Sequence, residues 1–594
     1  MFLIPITLLA LRLVTDPPVA ENTSVRDAMV QANTIVQNNR ARASIATIGK
    51  SWTGQPIELI TLSESLIDAE KKPAILLVSG LDGSRPSSVA IAVAAIKKLL
   101  ETPEILKKNT FYVIPCANPD VFLDTFMKSD GRANRNARPV DEDRDGRIDE
   151  DPPSDINGDG AITMMRRLNP PVNDPPTHLA DPGEPRLLRI PDTTKDQRAI
   201  YTLYTEGLDS DHDGLIAEDD IGGVDIDRNF PHLWPEFNPS AGQFQLSEPE
   251  SQSLVKFVLE HPRIVGALVI GRWDNLVKTP DSKARDVTGK TPIALDSGDT
   301  ATWEEMGRKW RELSGQSRST ECDPSGSLAL WLYAHRGIPT FATQAWGRPD
   351  PSPVAAALVD PAALVVAAAL VDPAALVDPA APVDPAAPVV AAAPATPAPP
   401  VVIPADEEAA GWLVWSDRDQ AGRGFLPWTP FNHPTLGPVE IGGFRTGFRS
   451  NPPPSEIPKI ADAVATFLSE LAKRQPKISL CKLTSKLTAP GIYEIEAEIV
   501  NDGWLPTVTE MGRINHQPVP IIVRISTPKD RILSGQRMTI VDGLTGAGGR
   551  KSFRWLVQSS SSEPIILEAN WKPSGTYRAS ITGEKVTLPS EVIP

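Results

Sequence analysis

Three segments of this chain repeat one pattern of oxygen donors. They are Asp141-Asp143-Asp145-Gly146, Asp155-Asn157-Asp159-Gly160 and Asp209-Asp211-Asp213-Gly214. Carboxylates or amides at every second residue, with a glycine at the sixth place, let a short loop wrap a hard cation. The third segment reaches Asp220 at the twelfth place, and Ile162 and Ile216 stand at the eighth, where such loops tuck an apolar side chain. The first meets Pro152 at the twelfth place, so it has to draw on Asp149 or Asp151; the second meets Arg166 there. Calcium is expected in at least one of the three. No comparable donor set exists for a transition metal. Seven histidines, at 178, 212, 232, 261, 335, 433 and 516, include none followed by Glu at the third position. His232 and Glu236 are four apart, but Pro231 and Pro235 break any shared helical face. Cys116, Cys322 and Cys481 are too scattered for a disulfide framework or a metal cluster.

The elements around these loops have clear signatures. Pro73 to Gly80 is an apolar run of strand length ended by glycine, as a buried parallel strand is. A helical pattern runs from Ser87 to Leu100, and another from Ile457 to Arg474 before Gln475-Pro476. Beyond residue 477 the pattern changes. Tyr493 to Ile499 alternates apolar and polar residues, and Ile521–Ile525, Arg537–Val541, Ser552–Val557 and Ile565–Ala569 follow with turns between, which predicts an antiparallel β-sandwich.

The stretch Gly223-Val-Asp-Ile-Asp227-Arg228-Asn-Phe, followed by Ser247-Glu248-Pro249-Glu250-Ser251, resembles the carboxypeptidase A-type zinc carboxypeptidase family. That family grips a peptide C-terminus with an Asn-Arg-Asn-Phe turn and opens its next helix with Ser-Glu-Pro-Glu. The resemblance covers roughly residues 45–475. It begins at Ile48 to Ile57 and passes through Ala117-Asn118-Pro119-Asp120, Gly337 to Trp346 and Phe431 to Gly443. It implies an α/β fold, a carboxypeptidase-like mixed sheet flanked by helices. It also implies where the functional residues belong. The family's Gly-x-His-x-x-Glu zinc motif falls on Gly80-Leu81-Asp82-Gly83-Ser84-Arg85, and the third zinc ligand falls on Gly271. The general-base Glu falls on Gln344, the oxyanion-stabilising Arg on Arg135 (with Arg132 and Arg138 as alternatives), and the carboxylate clamp on Asp227 and Arg228. The family's mobile Tyr falls on Glu321-Cys322-Asp323-Pro324, where there is none.

These replacements change the expected chemistry. A catalytic zinc takes three protein ligands and an open position for water. Asp82 can give one oxygen, Arg85 is a permanent cation, Gly271 has no side chain, and Gln344 cannot take a proton from water. Zinc is therefore not expected. The reading that follows is a carboxypeptidase-like protein without catalysis that either binds peptide or protein C-termini through Arg228 or serves simply as a scaffold, the latter if Arg228 and Asp227 pair with each other. Two others stand beside it: an active zinc metallocarboxypeptidase releasing C-terminal residues, and a calcium-dependent extracellular interaction protein.

Composition sets the boundaries. The 594 residues carry a net charge of -16. Residues 141–160 hold nine acids against two arginines and residues 209–220 hold six acids and no base, which is thirteen of the sixteen excess negatives. The charge is thus local, and no basic footprint for nucleic acid exists. The apolar run Met1 to Val14 reads as a secretory h-region, so residues 1–20 are expected to be a signal peptide and the protein periplasmic or secreted. That run is too short to span a bilayer. The expected organisation is a carboxypeptidase-like domain over 21–475 and a sandwich over 477–594. The first contains an acidic insertion at 136–222 and an Ala/Pro/Val-rich insertion at 349–406. In the latter, Val-Asp-Pro-Ala-Ala starts at 359, 371, 377 and 383, and such a tract reads as a spacer.

Overall fold

The computed structural model describes residues 24–122, 134–140, 146, 148, 152–210, 212, 214–217, 223–349, 407–516 and 519–588. The expected signal peptide, Arg132, nearly all of the 349–406 insertion, and Asp141, Asp143, Asp145, Asp211, Asp213 and Asp220 lie outside the described residues. Two compact units emerge. One comprises residues up to 163, 205–347 and 445 onward; the other comprises 164–204 and 348–444.

The first unit is built on a six-stranded mixed sheet. Its strands are β1 (Ala43–Lys50), β2 (Pro56–Leu62), β3 (Ala74–Val78), β4 (Thr110–Ile114), β5 (Ile264–Ile270) and β6 (Thr340–Thr343), in the spatial order β1-β2-β4-β3-β5-β6. β1 and β2 form an antiparallel hairpin at one edge, and β4, β3, β5 and β6 run parallel. Every residue of β3, β4, β5 and β6 is buried, as an interior parallel sheet requires. Helix Ile457–Arg474 packs on helix Ser87–Leu100, on helix Thr300–Ser314 and on β3 and β5. The large buried rings of Trp303, Trp310, Phe341 and Phe467 interlock there at centroid separations of 5.0–5.7 Å. Because β3, β5 and β6 are adjacent and parallel, the segments leaving them emerge at the same edge of the sheet. Those segments carry Asp82, Gly271 and Gln344. This is the edge at which open α/β sheets bind ligands.

The sandwich belongs to the same unit. One sheet holds Ile478–Ala489, Ile492–Asn501, Gly549–Gln558 and Ile532–Ser534; the other holds Met538–Val541, Ile521–Ile525, Pro564–Trp571, Gly575–Thr582 and Lys585–Thr587. All pairings are antiparallel. Tyr493, Ile495, Ala497 and Ile499 point inward in strict alternation, beside Trp555, Val557, Leu567 and Trp571. The sandwich is tied to the larger sheet's helices through Asp299. That buried carboxylate accepts from the Tyr333 hydroxyl (2.6 Å) and from the N–H groups of Glu510 (2.9 Å) and Met511 (3.3 Å), capping the short helix Glu510–Ile514.

The second unit contains an element absent from the sequence-based expectation. Phe425–His433, Gly437–Phe444, Met164–Leu168 and Tyr201–Thr205 form a four-stranded sheet in that order. Part of the acidic insertion is therefore sheet rather than loop. Helix Glu407–Asp419 covers a small core of Leu187, Leu413 and Phe425. Arg166, between the rings of Tyr201 (4.8 Å) and Trp428 (4.4 Å), is paired with Glu440 at 2.8 Å.

Candidate functional site

At the shared strand-end edge, chain direction alone brings charged side chains together. After β3, Gly80 takes a positive φ of 64° at a point where a Cβ would lie 2.7 Å from the Cys116 backbone, so only glycine fits. Asp82 follows, 6% exposed. Its Oδ1 accepts from the Ser84 N–H at 2.9 Å and its Oδ2 lies 3.5 Å from Nε of Arg85. Arg85 is buried and donates to the Ser450 carbonyl at 3.2 Å. Burial works against its charge and Asp82 supports it.

After β5 come Gly271 and Arg272. A Cβ on Gly271 would stand 3.6 Å from Oδ2 of Asp227, so the strand end faces that carboxylate directly. The Arg272 guanidinium pairs with Asp225 at 2.9 Å and reaches the Asp227 carbonyl at 3.4 Å. Burial opposes its charge, but Asp225 and Asp227 more than offset that and hold it protonated. Asp225 also approaches Nε of Arg228 at 3.6 Å, so one buried carboxylate is shared by two guanidiniums. Burial pushes Asp225 above the ordinary carboxylate range, against the pull of Arg272 and Arg228.

Asp227 and Arg228 do not form a simple pair with each other. The Asp227 Oδ1 accepts from the Leu328 N–H at 3.0 Å, at the start of helix Leu328–Arg336, while Arg228 turns to Asp225 and, through Nη1, to Asp323 at 3.3 Å. The reason is backbone geometry: residues 226–228 form one 3-10 turn capped by Asp225, which sends adjacent side chains in different directions. Burial drives the Asp227 carboxyl up to about 7, with Arg272 pulling it down and Asp225 pushing it up. Folding thus favours the protonated form. Its contribution to stability is complete below the unfolded value near 4 and is lost as pH rises through 7. Asp227→Asn keeps an oxygen for Leu328, so we expect it to match the wild type at pH 4 and to exceed it at pH 8 by about 3 kcal/mol. Urea denaturation at both pH values measures this, and the same difference at both would contradict it.

Gln344, which follows β6, is buried and fully used. Its Nε2 donates to the carbonyls of Arg272 (2.6 Å) and Thr320 (2.8 Å), and its Oε1 accepts from the Thr320 N–H (2.9 Å). It braces the loop after β5. Cys322 sits near the same arginines; burial raises its thiol, while Arg272 and Arg228 pull the other way.

Arg135 lies in the segment 134–140, where with Arg138, Val224 and Asn238 it lines a cavity of about 740 Å³. Arg138 donates to the fully buried Glu248 at 2.7 Å and lies over the Trp52 ring. Glu248 and Glu250 open helix Pro249–Glu260 and both accept from the Asn136 amide. Asp155, Asn157 and Asp159 turn their oxygens toward backbone N–H groups within 155–161. Asp209 is 8% exposed.

The zinc that the resemblance implies does not fit these residues. The strand-end positions offer one carboxylate already used by Ser84 and Arg85, one cation, and one bare backbone. Among the described residues no group of three or more His, Cys, Asp or Glu side chains could hold a metal ion. Sequence reasoning missed Asp225, Arg272 and Asp323. A signal was present for Arg272: an arginine directly after a seven-residue buried strand needs carboxylate partners.

Residues 31–154 match the family model for zinc carboxypeptidases, and residues 477–582 match a domain of unknown function, DUF8731. No match was found among curated proteins. Solved structures similar to this chain include bovine thrombin-activatable fibrinolysis inhibitor in complex with tick carboxypeptidase inhibitor, at 15% identity, 54% of this chain, 85% of that chain and TM-score 0.34. Another is carboxypeptidase A from Helicoverpa armigera, at 14% identity, 54% of this chain, 64% of that chain and TM-score 0.33. A third is a metallo-carboxypeptidase from Burkholderia cenocepacia, at 10% identity, 54% of this chain, 59% of that chain and TM-score 0.27. The chain spans less than two thirds of the length of the latter two. No helix among the described residues is long and apolar enough to cross a membrane. The segment 31–154, less than half of the chain, is thus similar to the zinc carboxypeptidase family.

Proposed function

We propose that this protein binds peptide C-termini without cleaving them, using the Arg228 guanidinium as its carboxylate clamp. The observation that carries the reading is the charge arrangement around Arg228. Its side chain is only 16% exposed, and its buried partner Asp225 is shared with Arg272 at a shorter distance. Its other partner is the exposed carboxylate of Asp323. A fork of donors that keeps some exposure, and whose buried partner is shared with a second guanidinium, suits an incoming carboxylate. Against catalysis stand the cations at the strand ends, which repel a metal, and the amide at position 344, which cannot serve as a base.

Calorimetric titration with an N-acetylated tripeptide, as the free acid and as the C-terminal amide, tests the reading. The acid is expected to bind more tightly. Arg228→Ala is expected to weaken acid binding by about tenfold or more and leave amide binding unchanged, since a charge-assisted fork is lost. Equal affinity of the wild type for acid and amide would end the proposal.

A further inference from the structure

The loop that carries Asp323 is fixed to the Arg228 turn from below. Gly326, at φ +73°, lies so close that a Cβ there would be 2.3 Å from the Arg228 carbonyl oxygen. Its carbonyl accepts from the Phe230 N–H at 2.9 Å and its N–H donates to the His232 carbonyl at 2.9 Å. The loop therefore cannot drift away from the clamp. Within it, Asp323 is held in a turn of its own, its Oδ1 accepting from the N–H (3.0 Å) and hydroxyl (2.7 Å) of Ser325. That leaves Oδ2 aimed at Nη1 of Arg228, 3.3 Å away. The two ends of this contact differ in exposure: 16% for the arginine side chain and 54% for the aspartate. The arginine is mostly buried and the aspartate faces water.

We propose that Asp323 is a built-in competitor, its carboxylate resting on the Arg228 guanidinium where a peptide's terminal carboxylate has to sit, so that binding requires the two to part. The proposal rests on the reading of Arg228 as a carboxylate clamp. The chemistry is an exchange of one carboxylate for another. The internal one makes a single long contact through water-exposed space, which is the weak kind of ion pair. An external carboxylate can approach the fork with both oxygens, which is the stronger geometry. Displacement then costs little, and Asp323 sets a threshold: it excludes weak anions and admits a peptide that makes further contacts. Ser325 keeps the displaced aspartate in its turn, ready to return.

The test uses the full chain and the same acid and amide tripeptides. Asp323→Ala is expected to tighten acid binding about two- to fivefold and leave amide binding unchanged, the size of an exposed ion pair removed from competition. In the Arg228→Ala background the same substitution is expected to have no effect. Glu321→Ala is the control for general loss of negative charge, because Glu321 is exposed and pairs with Lys278 rather than Arg228. Acid preference in the wild type with no gain from Asp323→Ala would overturn the competitor while leaving the clamp. An equal gain from Glu321→Ala would overturn it too. Absence of acid preference in every variant would remove both the clamp and its competitor.

Discussion

Replacing Arg272 by Ala is expected to destabilise the protein at pH 7 by about 3–5 kcal/mol, the usual cost of leaving buried acids without their cation. Arg272 pairs with Asp225 at 2.9 Å and is a main influence on Asp227, and both acids are at most 3% exposed. Arg228 is the remaining cationic neighbour of Asp225, at 3.6 Å, and one guanidinium at that longer distance does not make up for the loss of the closer one. The loss should shrink as pH falls toward 5, because both carboxyls already lie above their ordinary range and protonation removes the stranded charge. Adding Asp227→Asn to Arg272→Ala should recover part of the deficit at pH 7. Urea denaturation of the three proteins at pH 5 and 7 checks this. A loss below 1 kcal/mol, or one independent of pH, would mean that the guanidinium is not what neutralises the cluster. Arg272 meets the electrostatic need of the strand-end acids with a covalently attached charge, which offers no open coordination position.

The elements that carry the site were legible where burial is simple. β3, β4 and β5 are apolar runs because both of their faces are covered, and the helix Ser87–Leu100 follows its periodic pattern. The strand Ile492–Asn501 announced itself by alternation, because one of its faces is solvated. The sheet of the second unit was not legible. Met164–Leu168 contains Arg166 and Arg167, and it pairs with a strand far along the chain, at Glu440, through contacts that leave no local pattern. The site divides in the same way. The replacements that the resemblance implies, at Arg85, Gly271 and Gln344, can be read at single positions. The network among Asp225, Arg228, Arg272 and Asp323 depends on three loops meeting, and the adjacency of Asp227 and Arg228 in sequence suggested a pairing that the 226–228 turn prevents.

A cluster of guanidiniums occupies the place where the resemblance to zinc carboxypeptidases puts metal chemistry. A transition ion needs several electron-pair donors at one point. The positions in question supply the Asp82 carboxylate, committed to Ser84 and Arg85, beside the Arg85 cation and the bare Gly271. Restoring a carboxylate at 344 does not repair this, because a base without an activated water has nothing to deprotonate at neutral pH. Gln344→Glu is therefore expected to remain inactive and to lose stability, since its side-chain amide brackets the Arg272 and Thr320 carbonyls. The most direct measurement is release of a C-terminal residue from a peptide by protein purified with zinc present, with the metal content determined on the same sample. We expect about 0.1 zinc per chain or less and no release above the protein-free rate. One zinc per chain, with hydrolysis that a chelator abolishes and zinc restores, would contradict it.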